Sequence, residues 1–241
     1  MKITVLSWNI WQGKHFPEII DFLRDKDADI VGLQEVIEKD GTNTAEEIAA
    51  ALKLNHAYYQ AINKTRLGHP QGNAILSKYP IEVSKRHFLS PPELYQDTAE
   101  TEPRIAVEAK IRIGNDLLTV LTVHLAYSDR FEHSDMRDLQ VQNLIKILPK
   151  SETILMGDFN SHPEDPNISR IGKVLANADE KPTEPTWTLY LHDYEGFRED
   201  KLRHRLDYIF ASKDLSVEGF KIEQSRGSDH LPISAILSLK S

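Results

Sequence analysis

Cysteine is absent from all 241 residues, which removes disulfides and thiolate metal sites together. Any metal held by this chain must be held by oxygen and imidazole. The absence agrees with a cytoplasmic location, which is the expectation here. Net positive charge is missing as well: 29 Lys+Arg stand against 37 Asp+Glu, a formal charge of −8. No global positive field draws a polyanion to this surface, so long duplex DNA is disfavoured, whereas a short or end-bound phosphate substrate needs only local cations. Long apolar runs are missing too. No stretch approaches the roughly 18 residues needed to span a bilayer, and the apolar start from Met1 to Trp8 is too short for a secretory signal. The Gly-x-Ser-x-Gly elbow of serine hydrolases and the Gly-x4-Gly-Lys-Ser/Thr loop of nucleotide-binding proteins do not occur. The consecutive Ser228-Asp229-His230 cannot form a triad by adjacency. There is no internal repeat, heptad or low-complexity tract.

What is present is ordinary for a folded chain: 40% hydrophobic and 27% charged residues, enough to bury a substantial core, with no segment that reads as a linker. One domain over residues 1–241 is expected. Phe16, Ile19, Ile20 and Leu23 fall on one face of a helix, as do Ala45, Ile48, Ala49 and Leu52 within residues 44–54, and Met136, Leu139, Leu144, Ile147 and Leu148 further on. Strands are expected around Ile3 and Val5 and at residues 29–33, 73–77, 81–87, 104–113, 117–125, 153–156, 206–210, 215–223 and 232–239. Gly114-Asn115-Asp116 suits a hairpin. Strands linked partly by helices and partly by hairpins imply mixed sheets flanked by helices. Residues 67–72, 90–103 and 181–199 read as long loops able to carry specificity.

Six segments place a polar or charged side chain at the end of an apolar, strand-like run: Ser7-Trp8-Asn9, Leu33-Gln34-Glu35-Val36, Thr122-Val123-His124-Leu125, Gly157-Asp158-Phe159-Asn160, Arg205-Leu206-Asp207-Tyr208-Ile209 and Gly227-Ser228-Asp229-His230. Alone, each has a plainer reading. Glu35 would be a solvated strand end, Asn9 a turn or cap, Asp158 and Asn160 an Asx turn, and His230 a surface histidine. Together, in this order, they resemble the endonuclease/exonuclease/phosphatase superfamily over residues 3–236. The resemblance implies an α/β fold, a four-layered α/β sandwich of two mixed β-sheets packed face to face and flanked by helices, with the site at one edge. In motif detail, residues 122–125, the Trp187 segment and residues 201–207 look more like the tyrosyl-DNA phosphodiesterase and sphingomyelinase branches than like DNase I.

A carboxylate at the end of an apolar run is costly unless a cation or donor meets it, and Mg²⁺ takes one or two protein carboxylates while keeping its waters. Glu35, with Asn9 and Asp229, suits that ion. One Mg²⁺, replaceable by Mn²⁺, is expected, with room for a second transient ion near Asp158 and Asp229. By the resemblance, Asp158 activates the attacking water and Asn160 fixes it. His124 and His230 donate to the phosphoryl oxygens, and Asp207 orients His230. Asn9, His124, Asn160, His230 and Arg104 form the phosphate-binding set, although Arg104 suits a surface salt bridge equally well. Lys201, Arg203 and Arg205 would meet substrate phosphates or lie on a solvated strand face. Trp8, Trp11, Tyr95, Trp187, Tyr190, Tyr194 and Phe197 would stack a base at a strand end or serve as core and loop anchors.

The expectation is a Mg²⁺-dependent phosphoesterase that cleaves a phosphodiester, foremost in nucleic acid, by in-line attack of water. A phospholipid or inositol-phosphate hydrolase of the same fold and an inactive scaffold are the alternatives. No protein partner is expected, and the chain is expected to be monomeric.

Overall fold

In the first strand Ile3 and Val5 face one apolar core while Leu6 and Trp8 face another, so a single strand separates two layers. The computed structural model describes residues 1–39, 41–62, 68–194 and 196–239. The elements run β1 (Lys2–Asn9), α1 (Phe16–Lys26), β2 (Ile30–Lys39), β3 (Thr42–Asn43), α2 (Thr44–Leu52), β4 (Asn55–Ile62), β5 (Gln71–Ser77), β6 (Ile81–Phe88), β7 (Ile105–Ile113) and β8 (Asp116–His124). They continue with α3 (Asp135–Ile147), β9 (Thr153–Asp158), α4 (Pro166–Gly172), β10 (Ala176–Asn177), β11 (His192–Tyr194), β12 (Phe197–Glu199), β13 (Asp207–Ala211), β14 (Ser216–Ile222) and β15 (Ile233–Ser238). The first sheet has the order β14-β15-β1-β2-β5-β4, with β3 attached to β2, and the second has β10-β13-β9-β8-β7-β6. Strands β11 and β12 form a separate hairpin.

Residues of both sheets, among them Ile3, Val5, Ile30, Val107, Val120, Ile154 and Ile209, make one apolar layer between them. The outer face of the first sheet packs against α1 and α2 through residues such as Leu33, Ile19 and Ile48, and the second packs against α3 and α4 through Leu121, Leu144 and Ile171. This is the expected four-layered sandwich. Each sheet contains one parallel pair joined across a helix, β1 with β2 and β8 with β9. A parallel pair requires such a crossover, and α1 and α3 provide it.

Side chains alternate along a strand, so the positions facing the other sheet can be read down each one. Ile3 and Val5 lead to Ser7 and Asn9, Leu118 and Val120 to Thr122 and His124, and Ile154 and Met156 to Asp158. The interior therefore changes from hydrocarbon to polar groups at the C-terminal ends of three of the four parallel strands, and on β2 from Ile30 to Gln34. Polar groups buried there must find partners. Gln34 Nε2 donates to Thr122 Oγ1 at 2.8 Å and Asn73 Nδ2 to the carbonyl of Ile105 at 3.1 Å, tying the sheets together beneath that edge.

Most helices and strands begin and end within two or three residues of expectation, but β2, expected at 29–33, runs on to Lys39, and there are other informative exceptions. The second helix stops at Leu52 because Lys53 turns left-handed, with φ 57°. β4 went unforeseen because its sequence, Asn-His-Ala-Tyr-Tyr-Gln-Ala-Ile, lacks a continuous apolar face, as suits a strand at a sheet edge. The seven-residue α4 is too short to show a period, and the expected loop at 181–199 folds in part into the β11–β12 hairpin. Of the expected loop at 67–72, Leu67 lies outside the described residues and Gln71 and Gly72 already belong to β5.

Gly157, with φ +150°, lies so close to β8 that a Cβ would meet the Val123 carbonyl oxygen at 2.0 Å. Gly157→Ala should cost about 3 kcal/mol or more, a fall of roughly 6–12 °C in Tm for a domain of this size. Gly172→Ala, whose Cβ would meet nothing within 4 Å, should melt near the wild type in the same calorimetric scan.

Candidate active site

Asp158 ends β9 at the polar edge of the inter-sheet layer, is 1% exposed, and faces Asp207 in register across β13. Around its Oδ2 lie three nitrogens: Asn9 Nδ2 at 3.0 Å, His124 Nε2 at 3.5 Å and His230 Nε2 at 3.5 Å. The two imidazole distances are too long for good hydrogen bonds. The other oxygen, Oδ1, accepts from the backbone N–H of Asn160 at 2.9 Å, and the Asn160 side chain donates to the Leu125 carbonyl at 2.9 Å. Asn160 takes a positive φ of 47° to close that turn. Asx chemistry thus fixes the end of β9, and it does so in support of the carboxylate.

Glu35 arrives by a different device. Leu33 and Val36 both belong to the core beneath α1 and α2, so two residues, Gln34 and Glu35, separate them on the opposite side. The pairing of β2 with β5 shifts between Leu33 and Val36, and Glu35 has φ 55°. This is a β-bulge, which re-aims a side chain where regular alternation would send it away. Glu35 Oε1 accepts from Asn9 Nδ2 at 3.2 Å, while the backbone N–H of Trp11 donates to Asn9 Oδ1 at 3.1 Å. Asn9 therefore presents its amide nitrogen to Glu35 and Asp158. Asn9, expected as a metal ligand, here turns its amide nitrogen to two carboxylates while its oxygen accepts from the Trp11 N–H and keeps a second lone pair.

Consecutive Asp229 and His230 diverge, as an extended chain requires. Asp229 accepts from Trp187 Nε1 at 3.0 Å and from Ser228 Oγ at 3.2 Å. His230 Nδ1 pairs with Asp207 Oδ2 at 2.9 Å, joining the two sheets. Burial alone would lower the His230 pKa, but Asp207 and Asp158 outweigh it and push it up to about 10. His230 is thus a cation. His124 goes the other way: burial, then the positive charges of Arg104 and His230, hold it well below the ordinary imidazole value, so it is a neutral donor. Burial pushes Asp158 up to about 6, against the pull of His230.

The donor set suits a hard divalent cation. Carboxylates of Glu35, Asp158, Asp207 and Asp229 converge, and burial together with the charge of Asp229 pushes Glu35 up to about 7. A carboxyl so raised in a cleft lacks positive charge, and all available ligand atoms are oxygen or imidazole. Among the described residues, the buried cluster whose ligand atoms lie within 4.8 Å of one another is Asp158, Asp207 and His230, and it includes neither Glu35 nor Asp229, the expected ligands.

These residues line a cleft of about 380 Å³ together with Arg104, Asn160 and an aromatic wall. Arg104 is buried, with Glu102 at 3.3 Å, so it is a fixed cation at the site and not an exposed salt bridge. The basic stretch expected to meet phosphates does not reach the cleft. Arg205 is buried against Asp179 at 2.9 Å, Arg203 lies 3.7 Å from Glu199, and Lys201 is exposed. Among the aromatics, Trp8 is fully buried in the layer beneath α1, its Nε1 donating to the His230 carbonyl, Trp187 is buried in the cleft wall with its Nε1 held by Asp229, and Phe197 is buried behind it. None of these three is placed to stack a base. Tyr95 donates to Asp97, whereas Trp11 and Tyr194 line the cleft and Tyr190 packs 5.4 Å from Trp11. Sequence reasoning missed Gln34 as the cross-sheet tie and Trp187 as the donor to Asp229. A fully buried amide beside Glu35 leaves no periodic signal, and the Trp187–Asp229 contact spans 42 residues.

Two curated relatives and two solved structures set this site in context. A beta-galactosidase large subunit from Latilactobacillus sakei is 30% identical over 143 residues, 55% of this chain, which spans only 23% of that relative's length. The uncharacterized protein YbhP of Escherichia coli strain K12 is 28% identical over 200 residues, 74% of each chain. An endonuclease/exonuclease/phosphatase from Beutenbergia cavernae superposes with a TM-score of 0.83 at 19% identity, covering 100% of this chain and 72% of that one. A mannosyl-6-phosphatase from Bacteroides thetaiotaomicron superposes with a TM-score of 0.72 at 20% identity, covering 98% and 100%. At such identities the structural likeness speaks to the fold. With residues 6–230 matching its family model, the chain belongs to the Endonuclease/Exonuclease/phosphatase family.

Proposed function

We propose that this chain is a divalent-metal-dependent phosphoester hydrolase that works by direct attack of water. The observation that carries the reading is the set of three nitrogens around Asp158 Oδ2, with Asp207 behind His230. A buried carboxylate with a pKa near 6 is matched to taking a proton at neutral pH. Asn9 and Asn160 hold it in place. His230 as a cation and His124 as a neutral donor face the same space, where they stabilise charge that builds on phosphoryl oxygens during attack. Asp207 keeps His230 charged and oriented. Glu35 and Asp229 would hold a divalent cation, Mg²⁺ or Mn²⁺, which would supply Lewis acidity toward a phosphoryl oxygen.

The intact set of ionisable groups weighs against an inactive scaffold. A nucleic-acid end is a second reading, supported by Trp11 and Tyr190 with ring centroids 5.4 Å apart at the rim and by the likeness of the motifs to tyrosyl-DNA phosphodiesterases. The first test is turnover of p-nitrophenyl phosphate and bis(p-nitrophenyl) phosphate with Mg²⁺, with Mn²⁺ and with chelator. Metal-dependent release of nitrophenol is expected, with Asp158→Asn and His230→Ala lowering kcat on the order of 10²–10⁴-fold while circular dichroism stays native. A folded wild type that turns over neither ester under any metal condition overturns the reading.

The carboxyl of Glu35 predicts how metal and pH interact. Its pKa rises from 4.5 to about 7 on folding without metal, so the folded chain binds that proton more tightly than the unfolded chain. Its contribution to stability is fully present below pH 4.5 and is lost as pH rises through 7. Asp158, raised to about 6, has the same sign. A cation replaces the proton, so binding releases it. The rise in Tm produced by Mg²⁺ should therefore be larger at pH 8 than at pH 5.5, and Glu35→Gln should abolish most of that difference. Equal shifts at both pH values in scanning calorimetry would exclude Glu35 as the ligand.

A further inference from the structure

We infer that Arg137, a buried arginine of α3 outside the set of hydrolytic groups, is a positioning residue. It holds residues 126–132 as the wall of the cleft against which the group attached to the phosphate rests, given that the chain is a phosphoester hydrolase.

Helix α3 buries Arg137, Gln140, Val141 and Leu144 and leaves Met136 and Leu139 half-buried, so two polar side chains take places that the apolar pattern reserves for hydrocarbon. Arg137 is 0% exposed, and the Asp165 carboxylate is 3.7 Å from it. A buried charge is costly, and apolar side chains of similar volume often serve stability as well. What the guanidinium supplies is directed donors. Nη1 donates to the Ala126 carbonyl at 3.2 Å and to Ser128 Oγ at 2.6 Å, and Nη2 donates to the carbonyls of Phe131, at 3.2 Å, and Glu132. Ser128 Oγ donates in turn to the Glu132 carbonyl. Gln140 adds to the clamp: its Oε1 accepts from the Ala126 N–H at 2.9 Å, and its Nε2 donates to Ser90 Oγ at 3.1 Å, which also accepts from the Arg104 N–H at 3.0 Å.

The backbone of residues 126–132 needs such a clamp. Arg130 and Phe131 have φ of 48° and 60°, a left-handed conformation that bulky side chains adopt only where their surroundings enforce it. The bend carries the Phe131 ring into the cleft wall, where it meets Tyr127 edge to face at 5.5 Å and Trp187 at 5.0 Å. Tyr127 is half-buried and lines the same wall. Aromatic faces in a cleft give a bound molecule most of its apolar contact.

The hydrolytic groups are fixed by other means. Leu125, just before the loop, donates its N–H to the Asp158 carbonyl at 2.9 Å and accepts from Asn160 Nδ2, so the end of β8 stays tied to β9. Trp187, which holds Asp229, is anchored through its own backbone to His204 at 2.9 and 2.8 Å. Loosening residues 126–132 therefore moves Tyr127 and Phe131 and leaves His124, Asp158 and Asn160 in place. Binding weakens while the chemical step keeps its rate, the kinetic mark of lost uniform binding.

Steady-state kinetics on the nitrophenyl ester that the Mg²⁺-loaded wild type hydrolyses, with inorganic phosphate as competitive inhibitor, separate the wall from the machinery. Arg137→Met keeps the stem and loses the fork. It should raise KM about tenfold, the loss of one good aromatic contact, while kcat stays within about twofold and the inhibition constant of phosphate, which touches no wall, is unchanged. Arg137→Lys, which keeps the charge and some of the donors, should fall between it and the wild type. Ser128→Ala removes one acceptor and leaves the arginine, and should raise KM about threefold even if Arg137→Met does not fold. In a Tyr127→Ala background Arg137→Lys should add less than about twofold to KM, because both changes remove the same contact. A residue that only stabilises the fold would lower the folded fraction, and with it kcat, at constant KM. That result, a parallel rise in KM and in the inhibition constant of phosphate, or full additivity with Tyr127→Ala overturns the positioning role while the hydrolase reading stands. No turnover of either nitrophenyl ester overturns both.

Discussion

A carboxylate 1% exposed at the mouth of an apolar interior must be met by donors, and Asp158 imposes that demand on every element around it. Asn9 reaches it from β1 in the other sheet, His124 from β8, His230 from the turn before β15, and Asn160 through its own backbone. The donors have to be held in turn. Trp11 fixes Asn9, Asp207 fixes His230, and the Trp8 indole fixes the backbone at His230. Much of what is polar inside this sandwich can be traced to that one group.

The two sheets converge on it because each contains a parallel pair, and parallel pairs align their C-terminal ends. Open α/β sheets bind ligands outside those ends. Here two such edges face one another across an apolar layer, and the site forms where hydrocarbon gives way to amide, imidazole and carboxylate.

The family resemblance made much of this legible in advance, for alone each motif had a plainer reading. His124, Asp158 and Asp207 stand beside apolar runs, and all three lie on the inter-sheet face. The sandwich itself followed from the family resemblance, since alternation alone implies only mixed sheets. Other features have no local signature. The bulge that turns Glu35 inward shows only in its pairing with β5, and nothing near Arg205 announces that its partner is Asp179, 26 positions earlier. Trp8 looked available for stacking because a tryptophan beside a site reads the same whether its ring faces cleft or core. Nothing in the sequence shows that the Trp11 N–H holds the Asn9 oxygen and so turns the nitrogen to the carboxylates.

The hydrogen bond between Gln34 and Thr122 and the one between Asn73 and the Ile105 carbonyl have a mechanical consequence. They act as dowels between two plates. Asn9, Glu35, Asp229 and His230 belong to one plate and His124, Asp158 and Asp207 to the other, so a slip of one residue spacing, about 3.3 Å, would separate every pair that crosses. Such a shear would leave both sheets and most of the hydrocarbon contact in place. The chain would then be folded by any spectroscopic measure and silent as a catalyst, which makes the alignment of the plates, more than the persistence of the fold, the quantity that heat or pressure would exhaust first.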